Sequence, residues 1–178
     1  MFDEYIESLK LTTSEAHWGK YESFGRNWII PKKGRKKIED IKEQDLQDII
    51  DNAFAKSNLS KKVLQNLRAC LKNFLKFCRK KNATKLFPEN LTIPSKAKTK
   101  PKRILQPQDL FKLFTGDKTV LRGREVFDRY IYAYRFQVLT GIRPGELRGL
   151  KDEDIVGDIV YIYRSINSLG EITEGKNK

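Results

Sequence analysis

The sequence has few of the residues that build disulfide scaffolds, zinc sites and membrane spans. Its 178 residues include two cysteines, one histidine and one methionine. We therefore expect no zinc centre of the usual Cys/His kind. No apolar run approaches the roughly 20 residues of a membrane-spanning helix, and the acidic start Met1-Phe2-Asp3-Glu4 does not resemble a signal peptide. A Gly-rich phosphate loop is also missing. These absences predict a cytoplasmic protein with no cofactor, no metal and no membrane partner.

The two cysteines are not expected to form a disulfide. Cys70 and Cys78 are eight positions apart in a predicted helix. A rise of about 1.5 Å per residue places their Cα atoms about 12 Å apart, which is too far for a bridge. We expect two buried thiols in a reducing compartment.

Acidic residues are nearly missing from one quarter of the chain. Residues 61–105 contain 14 Lys or Arg and a single acid, Glu89, whereas the rest of the chain balances to zero. The whole net charge of +13 therefore lies in this segment. A basic block confined to one segment indicates a polyanionic partner, and nucleic acid fits better than a membrane surface.

The N-terminal part has the periodicity of a small helical bundle. Helices are predicted over residues 12–30, 39–56 and 60–82, with a loop at residues 31–37. The first helix carries an aromatic stripe that we interpret as core: Trp18, Tyr21, Phe24 and Trp28. His17 beside it is interpreted as a structural or surface residue.

The third predicted helix has two faces of opposite character. Its Leu, Phe and Cys residues share one face that can pack on the other helices. The opposite face carries cations and no acid, whereas a solvated face usually contains oppositely charged i,i+4 pairs. This pattern favours nucleic-acid contact over a merely solvated face. Together with its flanking and downstream cations, the face supplies the predicted DNA contacts: Lys61, Lys62, Arg68, Lys72, Lys76, Arg79, Lys80, Lys98, Lys100 and Lys102.

Residues 94–103 are typical of an extended linker. The segment contains two prolines, alternating cations and little apolar surface. It could follow a phosphate backbone or serve only as a hinge. The break predicts a helical DNA-binding domain at residues 1–93 and a second domain at residues 104–178.

The second domain is predicted to mix helices with a β-hairpin. A helix start at Gln106-Pro107 is followed by a longer helix over about 122–140 and a short one. Residues 159–163 have strand composition, and a turn at 168–170 leads into a second strand at 171–173. Two paired strands are marginally stable alone, so this domain looks incomplete. The predicted fold class is mainly α, with a helical bundle followed by a partial α+β domain.

A tight corner after the longer helix places one arginine beside a helix start. Gly141 can end the helix in the left-handed conformation, and Pro144 suits the first position of the next helix. A cation at the positive end of a helix dipole is unfavourable by about 0.3–1 kcal/mol, but a guanidinium there is well placed for a phosphate. Arg143 could therefore bind phosphate, or it could simply pair with Glu146.

The sequence of this corner is distinctive. It reads Thr140-Gly141-Ile142-Arg143-Pro144-Gly145-Glu146-Leu147, followed by Leu150 and Asp154-Ile155. It resembles the first catalytic box of the tyrosine recombinases, the phage integrase family, which reads Thr-Gly-x-Arg-x-Gly-Glu-Leu and is followed by a Leu and an Asp-Ile. The order of a basic helical domain (SAM-like in this family), a linker, the box and a hairpin extends the resemblance over essentially the whole chain.

The resemblance implies specific roles for a few residues. Arg143 would contact the scissile phosphate and stabilise the transition state, and Glu146 would support the local structure. The family carries a general-acid lysine on the hairpin, which makes Lys176 the candidate and Lys178 the fallback. Asn177 replaces the threonine that usually follows this lysine.

Other elements of the family pattern are missing from this sequence. No His-x-x-Arg box is present, and none of the seven tyrosines follows the hairpin. All seven fall in segments that we interpret as packed helix or strand. Without a nucleophilic tyrosine no phosphotyrosyl intermediate can form, so we expect this chain to be inactive alone.

The leading hypothesis is the DNA-binding N-terminal part of a site-specific recombinase from a phage or mobile element. The resemblance implies metal-free phosphoryl transfer, double-stranded DNA with a core-type half-site as partner, and a tetramer on DNA for a complete family member. This fragment is expected to be monomeric. The alternative is a naturally truncated integrase that acts as a non-catalytic DNA-binding regulator or decoy. A basic helical protein that binds anionic membranes is a weaker third reading, because the third helix has a core-like face.

Overall fold

A computed structural model describes residues 1–99 and 101–174. The chain divides into two compact units, Met1–Lys102 and Arg103–Lys178. The predicted domains were expected to be separated by residues 94–103, and along the chain the boundary between the two units falls between Lys102 and Arg103. Three of the predicted site residues, Lys100, Lys176 and Lys178, lie outside the described residues.

The first unit is a bundle of helices. Its elements are α1 (Phe2–Lys10), α2 (Glu15–Phe24), a π-helical turn (Gly25–Ile29), α3 (Ile30–Lys33), a 3-10 turn (Ile38–Asp40), α4 (Glu43–Ser57) and α5 (Lys61–Lys80). Two expectations are corrected here. Helix α1 was not predicted, and residues 31–33 of the loop expected at 31–37 are helical. Pro31 is tolerated there because it stands in the first turn of α3, where its nitrogen needs no hydrogen-bond partner.

The π-helical turn and α1 are connected by one close approach. A Cβ at Gly25 would lie 2.2 Å from Cε1 of Phe2. Only glycine therefore allows the Phe2 ring to reach this position. The ring then packs edge-on against Phe74 of α5, with 5.0 Å between the centroids. Through this contact, α1 packs against the core.

The apolar face of α5 forms the centre of the bundle. Its buried residues are Leu64, Leu67, Cys70, Leu71, Phe74, Leu75 and Cys78. Both cysteines are free and buried, as predicted. Burial raises the pKa of the Cys70 thiol to about 12 and that of the Cys78 thiol to about 11, because the thiolate loses its hydration. The aromatic stripe of α2 also packs on this core, with Tyr21 and Phe24 buried.

Part of the predicted linker packs on the first unit. Leu91 and Ala97 are buried in the same core as α5, and the backbone N–H of Lys61 donates to the carbonyl of Lys98 at 3.0 Å. Residues 94–99 are thus attached to the bundle rather than free. Ala97, a small apolar residue between Lys96 and Lys98, and Ile93 just before the segment both pack on the core, which explains this attachment.

The second unit combines three helices with three short antiparallel strand pairs. Its elements are α6 (Pro107–Thr115), β1 (Lys118–Leu121), β2 (Arg124–Phe127), α7 (Ile131–Thr140), α8 (Pro144–Gly149), a 3-10 turn (Asp152–Asp154), β3 (Ile155–Val156), β4 (Ile159–Val160), β5 (Arg164–Ile166) and β6 (Ile172–Glu174). Strand β1 pairs with β2, β3 with β4, and β5 with β6. The fold class is the predicted one, mainly α with a bundle followed by a small α+β unit.

Two boundaries in this unit differ from the prediction. The helix expected from residue 122 begins at Ile131, because Arg122 and Gly123 adopt positive φ and turn β1 back into β2. The strand expected over residues 159–163 ends at Val160 and pairs with β3. The predicted turn at 168–170 instead joins β5 to β6, where Ser165 is opposite Thr173.

Many large apolar side chains of the second unit are exposed. Its buried apolar residues in the described part of the chain are Ile131 and Ile142. Five tyrosines that were expected to be packed are exposed, namely Tyr130, Tyr132, Tyr134, Tyr161 and Tyr163. The physical reason is that these short elements have too few partners to cover both of their faces. No helix in the described part of the chain is long and apolar enough to cross a membrane.

Candidate nucleic-acid interface and phosphate-binding arginine

One side of α5 presents a set of lysines without acidic neighbours, which we call the lysine face: Lys61, Lys62, Lys72, Lys76 and Lys80. Four of them are exposed, and Lys72 is half-buried. None takes part in any ion pair among residues 1–99 and 101–174. Since α5 contains no acid, its positive charge is not compensated within the helix.

The two arginines predicted to belong to the same stripe have structural partners. Arg68 Nη1 donates to the carbonyl of Leu91 at 3.1 Å, and Arg79 Nη1 donates to that of Leu86 at 2.8 Å. The Arg79 guanidinium also lies 4.3 Å from the Phe87 ring centroid. Through these bonds, both arginines hold the segment that contains Leu86 and Leu91 against α5. Sequence reasoning missed this role because the acceptors are backbone carbonyls.

The predicted contacts beyond α5 lie partly next to the lysine face. Lys98 is exposed, and its carbonyl accepts the first N–H of α5. The structure therefore brings Lys98 to the Lys61 end of the helix. Lys102 is exposed at the end of the first unit, and Lys100 is outside the described residues.

Arg143 occupies the corner that the sequence predicted. Helix α7 ends at Gly141, which has φ of +68°, and α8 begins at Pro144. The backbone N–H of Arg143 donates to Glu146 Oε2 at 3.0 Å, and its Nη1 donates to Oε1 at 2.9 Å. The Arg143 side chain is 61% exposed, whereas that of Glu146 is 9% exposed. Arg143 thus pairs with Glu146 and still presents most of its guanidinium to solvent.

The glycines of the box allow α8 to pack closely on β5. A Cβ at Gly145 would lie 2.4 Å from Ser165 Oγ, and one at Gly149 would lie 2.9 Å from the Arg164 carbonyl. A larger residue at Gly149 would meet the strand backbone, and one at Gly145 would have to displace the Ser165 hydroxyl and would lie 3.0 Å from the Ile166 carbonyl. The spacing of the two glycines therefore fixes the position of α8, and with it the position of Arg143.

An ion pair between the buried Asp154 and the half-buried Arg164 stabilises the other end of α8. Arg164 binds both oxygens of Asp154, at 2.7 and 3.0 Å, and donates to the Gly149 carbonyl at 3.1 Å. Asp154 also accepts the backbone N–H of Lys151 at 2.8 Å. Sequence reasoning did not single out Arg164. The pattern in the sequence is an arginine in a strand that follows an acidic turn, and this pattern alone does not predict an ion pair.

The arrangement can receive an anion but offers no metal centre. A guanidinium held at one end by a carboxylate keeps free N–H groups for bidentate contact with a phosphate. Within the described ranges no group of three or more His, Cys, Asp or Glu side chains could hold a metal ion. The general-acid candidates Lys176 and Lys178 fall outside those ranges.

Comparisons with known proteins concern the N-terminal part of the chain and its fold. Residues 1–53 match the family model described as phage integrase, N-terminal SAM-like domain. No curated protein matches the sequence. The fold is similar to that of the Tn1549 transposon integrase in complex with circular intermediate DNA, with a TM-score of 0.77 and 19% identity over 97% of this chain and 58% of that one.

A second solved structure gives the same result. It is an arginine-to-lysine variant of the Tn1549 integrase with another circular intermediate DNA, and it is similar at a TM-score of 0.74 and 18% identity. The similarity covers 98% of this chain and 57% of that one. This chain therefore spans somewhat more than half the length of the integrases that share its fold.

Proposed function

We propose that this chain belongs to the tyrosine recombinase (phage integrase) family and binds double-stranded DNA through the lysine face of α5; the match of residues 1–53 to the family's N-terminal domain supports the first part. The observation that carries the proposal is the set of five lysines on one helix without an acidic partner in the described chain. Such uncompensated charge is unfavourable for an isolated protein and favourable beside a polyanion.

The dimensions of α5 fit a contact with the DNA backbone. A 20-residue helix is about 30 Å long, and the major groove of B-DNA is about 12 Å wide. Lysines spread from Lys61 to Lys80 can therefore reach phosphates on both sides of one groove. Contacts of this kind position a protein on DNA without reading its sequence.

Arg143 is assigned to the scissile phosphate in this proposal. Its guanidinium is exposed and fixed by Glu146, which suits an electrostatic role toward charge that develops on a phosphoryl oxygen. In a complete recombinase, a tyrosine would attack that phosphate and a lysine would protonate the leaving oxygen. Lys176 remains the candidate for the lysine, and Glu146 acts by holding Arg143.

The finer assignments follow from the family rather than from the geometry. They are site-specific recombination at a core-type half-site, phosphoryl transfer without a metal ion, and assembly of a tetramer on DNA. By itself the chain is proposed to bind DNA as a monomer. The division into a DNA-binding domain at 1–93 and a partial catalytic domain at 104–178 belongs to the same proposal.

The test compares two double variants in duplex binding by fluorescence anisotropy. Replacing Lys61 and Lys72 by alanine removes two charges from the lysine face. The matched control replaces Lys32 and Lys56, which are exposed and unpaired in the described chain but lie outside α5. We expect the first variant to bind about tenfold or more weakly than the control at low salt. Equal affinities of the two variants would remove the lysine face from the proposal.

A further inference from the structure

A cleft opens between α1, α2 and α5 beside the lysine face. It has a volume of about 260 Å³. The residues that matter for its chemistry are Tyr5, His17, Tyr21, Asn73, Lys76 and Lys80. Helix α2 has no part in the interface described above, so this cleft joins a new element to it.

A buried tyrosine forms one wall of the cleft. Tyr5 is 4% exposed, and its hydroxyl has no hydrogen-bond partner among the described residues. Burial raises the pKa of this hydroxyl, so it is a neutral hydrogen-bond donor at ordinary pH. A buried polar atom without a partner costs free energy. The hydroxyl itself has almost no accessible surface, so Tyr5 contributes its ring to the wall of the cleft and makes no hydrogen bond to a ligand there.

The rim of the cleft is polar and basic. Asn73 Nδ2 donates to the Tyr21 hydroxyl at 3.3 Å, which fixes the amide at the edge of the cleft and leaves its second N–H free to donate. The His17 ring lies against Tyr21, with 4.7 Å between the centroids. Lys76 and Lys80 are exposed and form no ion pair in the described chain. No acidic side chain lines the cleft.

We propose that this cleft binds one phosphate group of the DNA backbone. Lys76 and Lys80 supply the charge, and the Asn73 amide and the His17 ring supply directed hydrogen bonds at the rim. The aromatic walls formed by Tyr5 and Tyr21 exclude water from one side of the site. The inference rests on the proposed function and extends it, because it adds α2 to the DNA surface.

The cleft and the rest of the lysine face can be tested separately with charge-matched variants. Asn73→Asp places a carboxylate in the cleft with almost no change in shape. Asn27→Asp makes the same change at an exposed site outside the cleft. We expect Asn73→Asp to lower duplex affinity about tenfold more than Asn27→Asp does. Unfolding curves followed by tryptophan fluorescence establish that both variants are folded. If Asn73→Asp is not folded, the double variant His17→Ala, Asn73→Ala replaces it, with an expected loss of about fivefold.

The source of the phosphate is distinguished by NMR. The side-chain amide resonances of Asn73 are followed while duplex DNA or inorganic phosphate is added to the wild-type chain. We expect the duplex to shift these resonances at far lower concentration than inorganic phosphate does. Resonances that move with inorganic phosphate but not with the duplex would indicate a free-anion site and overturn the inference.

Failure of the inference can be separated from failure of the proposed function. If Asn73→Asp and Asn27→Asp bind equally while the Lys61 and Lys72 variant is weakened, the cleft is only a packing gap and the lysine face remains. If the wild-type chain does not bind duplex DNA at all, both proposals are wrong.

Discussion

Asp45 is the most densely bonded carboxylate of the first unit, and its removal should destabilise that unit strongly. Its oxygens accept from Lys33 Nζ at 2.6 Å, from Lys36 Nζ at 2.5 Å and from the backbone N–H of Lys42 at 2.8 Å. Its side chain is 12% exposed. These bonds connect α3 and the following loop to the first turn of α4.

The expected loss follows from the kinds of bond involved. Asp45→Asn retains the size of the side chain but removes the charge that both lysines bind. Loss of a first-turn cap costs about 1 kcal/mol, and a hydrogen bond to a charged group contributes about 1.5–3 kcal/mol. Because these contributions overlap and the lysines regain water, we expect the free energy of unfolding to fall by about 2–3 kcal/mol at pH 7.

The same bonds make the effect dependent on pH. The hydrogen bond from Lys33, then that from Lys36 and the backbone N–H of Lys42, hold the pKa of Asp45 well below its usual range. A carboxyl with a lowered pKa in the folded state stabilises the protein above its unfolded pKa of about 3.9. That contribution is lost as the pH falls. The difference between wild type and Asp45→Asn should therefore shrink below about pH 4.

Urea unfolding, monitored by tryptophan fluorescence, measures the change in the free energy of unfolding of the first unit. Both tryptophans, Trp18 and Trp28, lie in the first unit and pack against its core. Asp51→Asn is the matched control, since Asp51 is an exposed residue of α4 that accepts a bond from Gln47. It should change stability by less than about 0.5 kcal/mol. A loss at Asp45 no larger than at Asp51, or an equally large loss at pH 7 and pH 3, would refute the reasoning.

Three further predictions concern the thiols, the packing of α8 and catalysis. Cys70 and Cys78 are buried and have raised pKa values. A thiol reagent should therefore label them only at the rate at which the first unit opens in urea. Rapid labelling of the folded chain would contradict this. Gly145→Ala should destabilise the second unit by about 1–3 kcal/mol, because its Cβ would overlap Ser165, and hydrogen exchange of the amides of β5 should report the loss. A nicked suicide substrate should yield no covalent protein–DNA adduct on a denaturing gel. An adduct would identify one of the exposed tyrosines as a nucleophile.

The elements that were predictable are those with a long and regular pattern. Helix α5 has 20 residues and a continuous apolar face, so its register, its buried cysteines and its lysines followed from helical geometry alone. The corner at Arg143 was also predictable, because Gly141 and Pro144 each restrict the backbone in a known way.

The missed elements depend on contacts between distant parts of the chain. Helix α1 is held in place by Phe2, which packs on Gly25 and Phe74. Its apolar residues do have helical spacing, which would have predicted the helix: Phe2, Tyr5, Ile6 and Leu9. The β1–β2 hairpin turns at Arg122-Gly123 rather than at one of the favoured Asn-Gly or Asp-Gly pairs. The predicted helix over residues 122–140 therefore included β2, which the structure shows as a strand.

The site was only partly predictable for the same reason. The sequence left open whether Arg143 binds a phosphate or simply pairs with Glu146. In the structure Arg143 pairs with Glu146 and its side chain stays 61% exposed, so phosphate binding remains a prediction. Arg68 and Arg79 looked equivalent to the neighbouring lysines until their carbonyl partners were visible. The cleft beside α5 brings together α1, α2 and α5, which no single segment of sequence encodes.

The salt dependence of duplex binding by the wild-type chain tests the central claim most directly. The lysine face offers five cations, and each phosphate contact releases counterions worth about 0.9 in the slope of log K against log salt. We predict a linear decrease in log K with a slope of about −3 to −5 for a duplex of any sequence. A slope near zero, or no binding at low salt, would contradict the account of α5 as a DNA-binding helix.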